Sequence, residues 1–161
     1  MSEADSRQQA ADFFQQAYEK QMAGEFDEAI ALYTRSIDAF ATAEAYTFRG
    51  WTHSFKGDVD RAIQDCLEAI KVDPAFGNPY NDIGAYLIEQ GKLDEAIPWL
   101  EKATRAKRYE AYCYPHFNLG RVYEQKHRWQ QARQCYARAY EINHQYSVAL
   151  VAIRRLQAKW N

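Results

Sequence analysis

The stretch NPYNDIGAYLIEQGKLDEAIPWLEKA, Asn78 to Ala103, decides how the rest of the chain is read. Gly84 is followed 12 positions later by Ala96, four further on by the bulky Leu100, and three beyond that by Ala103. The same order of small, alanine, bulky and small recurs as Gly50, Ala62, Cys66, Ala69 and as Gly120, Ala132, Tyr136, Ala139. Ala17, Ala29, Tyr33 and Ser36 form a further copy, and the copies stand about 34 residues apart. A period of this size marks stacked supersecondary units rather than one irregular core. An all-α solenoid in a single domain is the expected fold.

Each unit reads as two helices. In GDVDRAIQDCLEAIKVDP, Gly57 ends one helix, Asp58 or Asp60 caps the next, and Pro74 stops it. Ala62, Ile63, Cys66, Ala69 and Ile70 fall at helical spacing and mark the face that packs inward. Pro98 is expected within the first turn of its helix, where a missing N–H is tolerated. Gly50 and Ala62 lack bulk, so two antiparallel helices can approach closely there. The rings of Phe13, Tyr46 and Tyr80, with His116 in the fourth copy, fill the gap beside each joint.

On these residues the chain resembles the tetratricopeptide repeat family. The third copy carries the match in Tyr80, Ile83, Gly84, Leu87, Gly91, Ala96, Leu100 and Ala103; the second carries it in Tyr46, Gly50, Gly57, Ala62, Ala69 and Pro74. The resemblance covers roughly Ala10 to His144 and implies a right-handed superhelical solenoid of antiparallel helix pairs. It divides the chain into repeats near 10–42, 43–76, 77–112 and 113–146, closed by a capping helix near 147–160. The copies depart from the pattern at Ala17 and Lys20 in the first and at His127, where a turn glycine is usual, in the fourth. Two extra residues separate the third and fourth copies, placed in the Arg108–Tyr114 connection, where the superhelix is expected to widen locally.

Composition narrows the class. At 161 residues with 26% charged side chains, the chain suits one soluble domain. No run approaches the ~18 apolar residues of a membrane span. The opening MSEADSRQQAADFF is acidic and polar, the wrong chemistry for a signal peptide, so a cytoplasmic protein is expected. Cys66, Cys113 and Cys135 are odd in number and never spaced CxxC, which reads as packed, reduced thiols. Up to Gly120 there are 12 Lys/Arg against 20 Asp/Glu; beyond it the balance is 8 against 2. The basic residues there lie among Glu124, Gln130, Gln131 and Gln134 and form no dense run. A solvated helix face explains them better than nucleic-acid binding, which remains a competing reading that steep salt dependence would reveal.

The resemblance also implies that the first helix of each pair lines a concave, peptide-binding face. By phase that face carries Phe14, Tyr18, Gln21 and Met22, then Thr47, Phe48, Trp51 and Phe55. Next come Asn78, Asn81, Asp82, Ala85 and Glu89, and finally Phe117, Asn118, Arg121 and Gln125. The first half is aromatic and the second polar. Exposed aromatics in a concavity serve as anchors; the competing reading packs Phe14, Phe48 and Trp51 on neighbouring helices as core. Trp51 and Tyr18 point away from the paired helix by phase, while Phe48 fits either role. Asn118 matches the inward asparagine of some relatives, whose amide pairs with a ligand backbone; a purely local polar contact is the alternative. Some family members grip a chaperone's terminal carboxylate with basic residues. The corresponding places here read Phe14, Tyr18, Phe48, Asn78 and Asp82, which argues against that ligand.

No GxSxG, HExxH or phosphate-binding GxxxxGK motif occurs, and the four histidines lack ligand spacing, so neither enzyme activity nor a cofactor or metal is expected. The leading expectation is an adaptor that binds a peptide or helical segment of another protein through Phe14, Tyr18, Phe48, Trp51, Phe55, Asn81, Asp82, Phe117, Asn118 and Arg121. A self-assembling homo-oligomer, using the groove or the last helix, is the alternative; the N-terminal segment or a second copy could then fill the groove.

Overall fold

The computed structural model describes residues 1–159, and every regular element among them is a helix. Four antiparallel pairs follow one another: α1 (Glu3–Met22) with α2 (Phe26–Ala39), α3 (Ala43–Phe55) with α4 (Val59–Val72), α5 (Asn78–Glu89) with α6 (Leu93–Arg105), and α7 (Cys113–Gln125) with α8 (Trp129–Ile142). A ninth helix, α9 (Ser147–Ala158), packs on α8. The expected capping helix reached Trp160, which lies outside the described residues. Each helix packs on its successor, and α1, α3, α5 and α7 also touch in sequence. The first helices of the pairs therefore crowd together, which makes theirs the inner, concave face.

The repeating positions explain the stacking. Ala29, Ala62, Ala96 and Ala132 are fully buried, as are Tyr33, Cys66 and Leu100; Tyr136 is nearly so. A Cβ on Gly84 would lie 2.4 Å from Leu100 Cδ2, and one on Gly120 would lie 2.5 Å from the Tyr136 ring. Each of these glycines thus sits under the bulky residue of its own unit, rather than beside the aromatic four positions earlier. Tyr46 instead packs with Ala43, Ala69 and Phe76, and Tyr80 donates from its hydroxyl to the Pro74 carbonyl at 2.8 Å. Gly84→Ala gains helix propensity but drives a methyl into a side chain with no free volume. A net loss of about 1–3 kcal/mol is expected in urea unfolding, and Leu100→Ala in the same chain should make the two losses less than additive.

Columns of the repeat are coupled. Where the bulky residue is tyrosine, the residue four after the small one is its acceptor: Tyr33 Oη donates to Gln21 Oε1 and Tyr136 Oη to Glu124 Oε2, both at 2.7 Å. Where it is Leu100, the equivalent residue is the buried, apolar Ile88. Gln21 is consequently a core residue, 3% exposed, and not a groove residue as its phase suggested.

The turns follow the same logic. Gly24, Gly57 and Gly91 have φ of 78°, 80° and 75°, and His127 takes their place at φ 57°. A side chain at such an angle is strained, and the fourth turn tolerates it. Asp58, rather than Asp60, caps α4 by accepting from the Arg61 amide at 3.2 Å. Pro98 corrects an expectation. The helix starts at Leu93, so the proline lies beyond the first turn and leaves the Asp94 carbonyl without its helical donor. Pro98 is on the exposed side, where water can satisfy that carbonyl. At the N-terminus α1 runs to Glu3, through a Ser2–Asp5 capping box, so the polar opening residues extend the first helix.

Candidate functional site

The first two inner helices build a continuous aromatic row. Phe14 meets Phe48 with centroids 5.3 Å apart, Phe48 meets Trp51 at 5.8 Å, and Trp51 meets Phe55 at 5.1 Å. Tyr18 joins at Phe48, 5.9 Å away, and Phe26 of α2 stacks on Phe55. Burial sorts this row into two layers. Phe14 and Phe48 are half-buried and pack on Tyr33 with Ala17 and Ala29, so they belong to the core as much as to the groove. Tyr18 and Trp51 each keep 37% of their surface exposed, Phe55 keeps 50%, and Met22 keeps 51%. Edge-to-face contacts with Phe48 hold Tyr18 and Trp51 in place before any partner arrives, and stacking on Phe26 holds Phe55.

The polar half is less open than its phase implied. Asn81 and Asn118 are each 8% exposed, and Asn118 Nδ2 donates to Asn81 Oδ1 at 3.0 Å. Arg121 Nη1 donates in turn to Asn118 Oδ1 at 3.1 Å. The Asn118 amide is therefore occupied within the protein. Phe117 also departs from expectation: it packs on Tyr136 and Tyr146, with centroids 5.1 and 5.3 Å away, as part of the C-terminal core. Helix α9 causes this, because its approach brings Tyr146 over the Phe117 ring.

Where the two halves meet lies a cavity of about 350 Å³. Phe48 and Trp51 line it from α3, and Asn78, Asn81 and Asp82 line it from α5. Tyr109 and Tyr114 close it from the α6–α7 connection and the start of α7. Asp82 is partly accessible yet enclosed by protein. That desolvation pushes its carboxyl up to about 7, against a smaller opposing effect of the Asn81 hydrogen bond.

Tyr109 and Tyr114 are the residues that sequence reasoning missed, and the two-residue insertion was the signal for them. The inserted connection is tied down by backbone bonds. It pairs with the α4–α5 connection: Gly77 N donates to Arg108 O at 3.0 Å, and Arg108 N to Ala75 O at 2.9 Å. Tyr109 then covers Gly77 so closely that a Cβ there would lie 2.5 Å from Tyr109 Cγ. Arg108 locks the arrangement by bonding to Asp73 and Glu44 while stacking 4.1 Å over Phe76.

A second polar cluster is structural. Arg49 makes a two-pronged pair with Asp65, Nε to Oδ2 at 2.9 Å and Nη2 to Oδ1 at 2.7 Å, and reaches Thr34 of α2 at 3.1 Å. It ties α2, α3 and α4 together on the side of α3 away from the cavity-lining residues. Several basic side chains after Gly120 also bond within the chain: Lys126 to Asp94, Arg138 to Glu141, and Arg155 and Lys159 to Glu124. Among the described residues no cluster of His, Cys, Asp and Glu is arranged to hold a metal ion, and no helix is long and apolar enough to cross a membrane. Cys66 and Cys113 are buried free thiols, and Cys135 is half-buried.

Antiparallel pairs stacked about small-residue joints, with a cleft on the first helices, define a helical-repeat protein. The chain belongs to the tetratricopeptide repeat family: models of that repeat match residues 43–76 and 77–145. The small glutamine-rich tetratricopeptide repeat-containing protein 2 of Saccharomyces cerevisiae is 30% identical over 101 residues, which are 62% of this chain and 29% of that protein. The heat shock protein STI1 of the same yeast is 29% identical over 127 residues, 78% of this chain and 20% of that one. The chain thus spans less than a third of these relatives. Among solved structures, Pseudomonas aeruginosa pilF superposes with a TM-score of 0.89 at 18% identity, over 96% of this chain and 70% of that one. MamA superposes at 0.73 and 22% identity, over 89% and 83%. At these identities the likeness is one of fold.

Proposed function

We propose that this chain is a protein-interaction module that holds an extended or helical segment of another protein along the concave face of α1, α3, α5 and α7. Tyr18, Trp51 and Phe55 are the apolar anchors, and no catalytic step is assigned. The observation that carries the reading is the exposed aromatic row, which rigid packing presents on the inner helices. Large rings on a preformed surface lose little freedom on binding, and such residues dominate interface energetics. Family membership supports the same reading. A chaperone-type carboxylate ligand does not fit, because an anion would meet Asp82 and aromatic faces instead of lysine and arginine.

Affinity capture should recover a partner with the natural chain and lose it with Tyr18→Ala/Trp51→Ala. The expected loss is at least about thirtyfold in affinity, with helicity by circular dichroism unchanged. Equal capture by both chains would remove the groove from the interaction. A light-scattering concentration series on both chains separates capture of a partner from occupancy of the groove by a second copy.

A further inference from the structure

We infer that the cavity at the junction of the aromatic and polar halves receives a basic side chain, lysine or arginine, from the bound segment. This rests on the groove being the binding face, and it adds a charge requirement that apolar anchoring alone does not predict. The cavity holds one carboxylate, Asp82, and no lysine or arginine among its lining residues. Among the described residues Asp82 makes no ion pair. Cys66 of α4, Tyr86 of α5 and Tyr109 of the inserted connection, which feel the charge of Asp82, are neutral in their ordinary state.

An enclosed carboxylate without a counter-charge is unfavourable in the free protein, and a cation from outside would relieve it. The walls suit that cation. Trp51, Phe48, Tyr109 and Tyr114 line the cavity with aromatic rings, the surface that suits an ammonium or guanidinium group and the methylenes behind it. The polar relay from Arg121 through Asn118 ends on Asn81 Oδ1, beside Asp82 in the cavity lining. A volume of about 350 Å³ accommodates one long side chain but not a folded element. Over a longer range, the excess of Asp and Glu up to Gly120 favours approach of a basic segment.

The test is a displayed random-peptide library selected in parallel on the full natural chain and on Asp82→Asn, an isosteric change whose fold is checked by circular dichroism. Lysine or arginine should be enriched at one position beside apolar positions with the natural chain. Asp82→Asn should lose only the basic preference. A selected peptide made afterwards should bind Asp82→Asn at least tenfold more weakly, and exchanging its basic residue for glutamine should cost the natural chain as much and Asp82→Asn little. Apolar selection without a basic position, or an unchanged basic preference with Asp82→Asn, overturns the inference and leaves the groove reading standing. Recovery of no peptide by either chain overturns both.

Discussion

Asp65→Ala should lower stability by about 3 kcal/mol, the largest loss expected from any single truncation of a polar side chain here. Asp65 is 5% exposed and holds Arg49 through two hydrogen bonds, while Arg49 also reaches Thr34. Removing the carboxylate strands a guanidinium whose surroundings are protein, including the nearby His53 ring. The side chain of Arg49 keeps 19% exposure, so part of the charge can turn to water, and this places the loss at the low end for broken buried pairs. Replacing both partners, as Arg49→Met/Asp65→Leu, should restore most of the stability, because a buried pair and an apolar pair of similar volume are close in free energy. Urea unfolding followed by circular dichroism measures both. A single variant within 1 kcal/mol of the natural chain, or a double variant weaker than the single, would sink this account.

Asp82→Asn should act in the opposite direction and depend on pH. Burial raises the Asp82 carboxyl from 3.8 to about 7 in the folded chain. Below about pH 3 both folded and unfolded chains carry the protonated acid, and asparagine replaces it with little change. As pH rises, the unfolded chain ionises freely while the folded one must either keep its proton or bury a charge. Stability contributed by the protonated form is therefore lost between about pH 4 and 7. The variant lacks that titration, so its advantage should grow across this window and level off above pH 8. Partial access to water keeps the plateau to the order of 2 kcal/mol. Melting curves at pH 4.5, 6, 7 and 8 read this directly; an advantage that is flat with pH, or that shrinks on raising it, contradicts the assignment. The same substitution should strengthen the fold and remove the preference for a basic ligand, the pattern expected where a site keeps an unfavourable group for binding.

The two outcomes differ in how far they could be read from residues alone. Gly84 and Gly120 were legible as positions of close approach because a solenoid repeats each contact, and repetition turns spacing into position; that Leu100 and Tyr136 lie directly over them was not. His127 stood out as the turn residue in a glycine column for the same reason, and its positive φ follows. The aromatic row was legible as a row, since residues at helical spacing share a face. Its layering was not: Phe14 and Phe48 sink onto Tyr33 while Trp51 and Phe55 stay exposed, and that depends on the neighbouring pair. Gln21 was misplaced because phase cannot tell that the tyrosine 12 residues on needs an acceptor.

By itself, then, the sequence determined the period, the small-residue columns and the turns, because each is a local or repeated property; which helices face inward was implied by the family resemblance. Tertiary structure decided the cavity. Tyr109 enters it from the insertion that breaks the period, where no phase exists to place a side chain, and it is fixed only by closing over Gly77. Asn118 donates to Asn81, 37 residues earlier, between the fourth and third repeats, and beside them Asp82 is the cavity's one carboxylate, without an ion pair among the described residues. Contacts between unlike copies have no period to announce them, and in this chain they make the site.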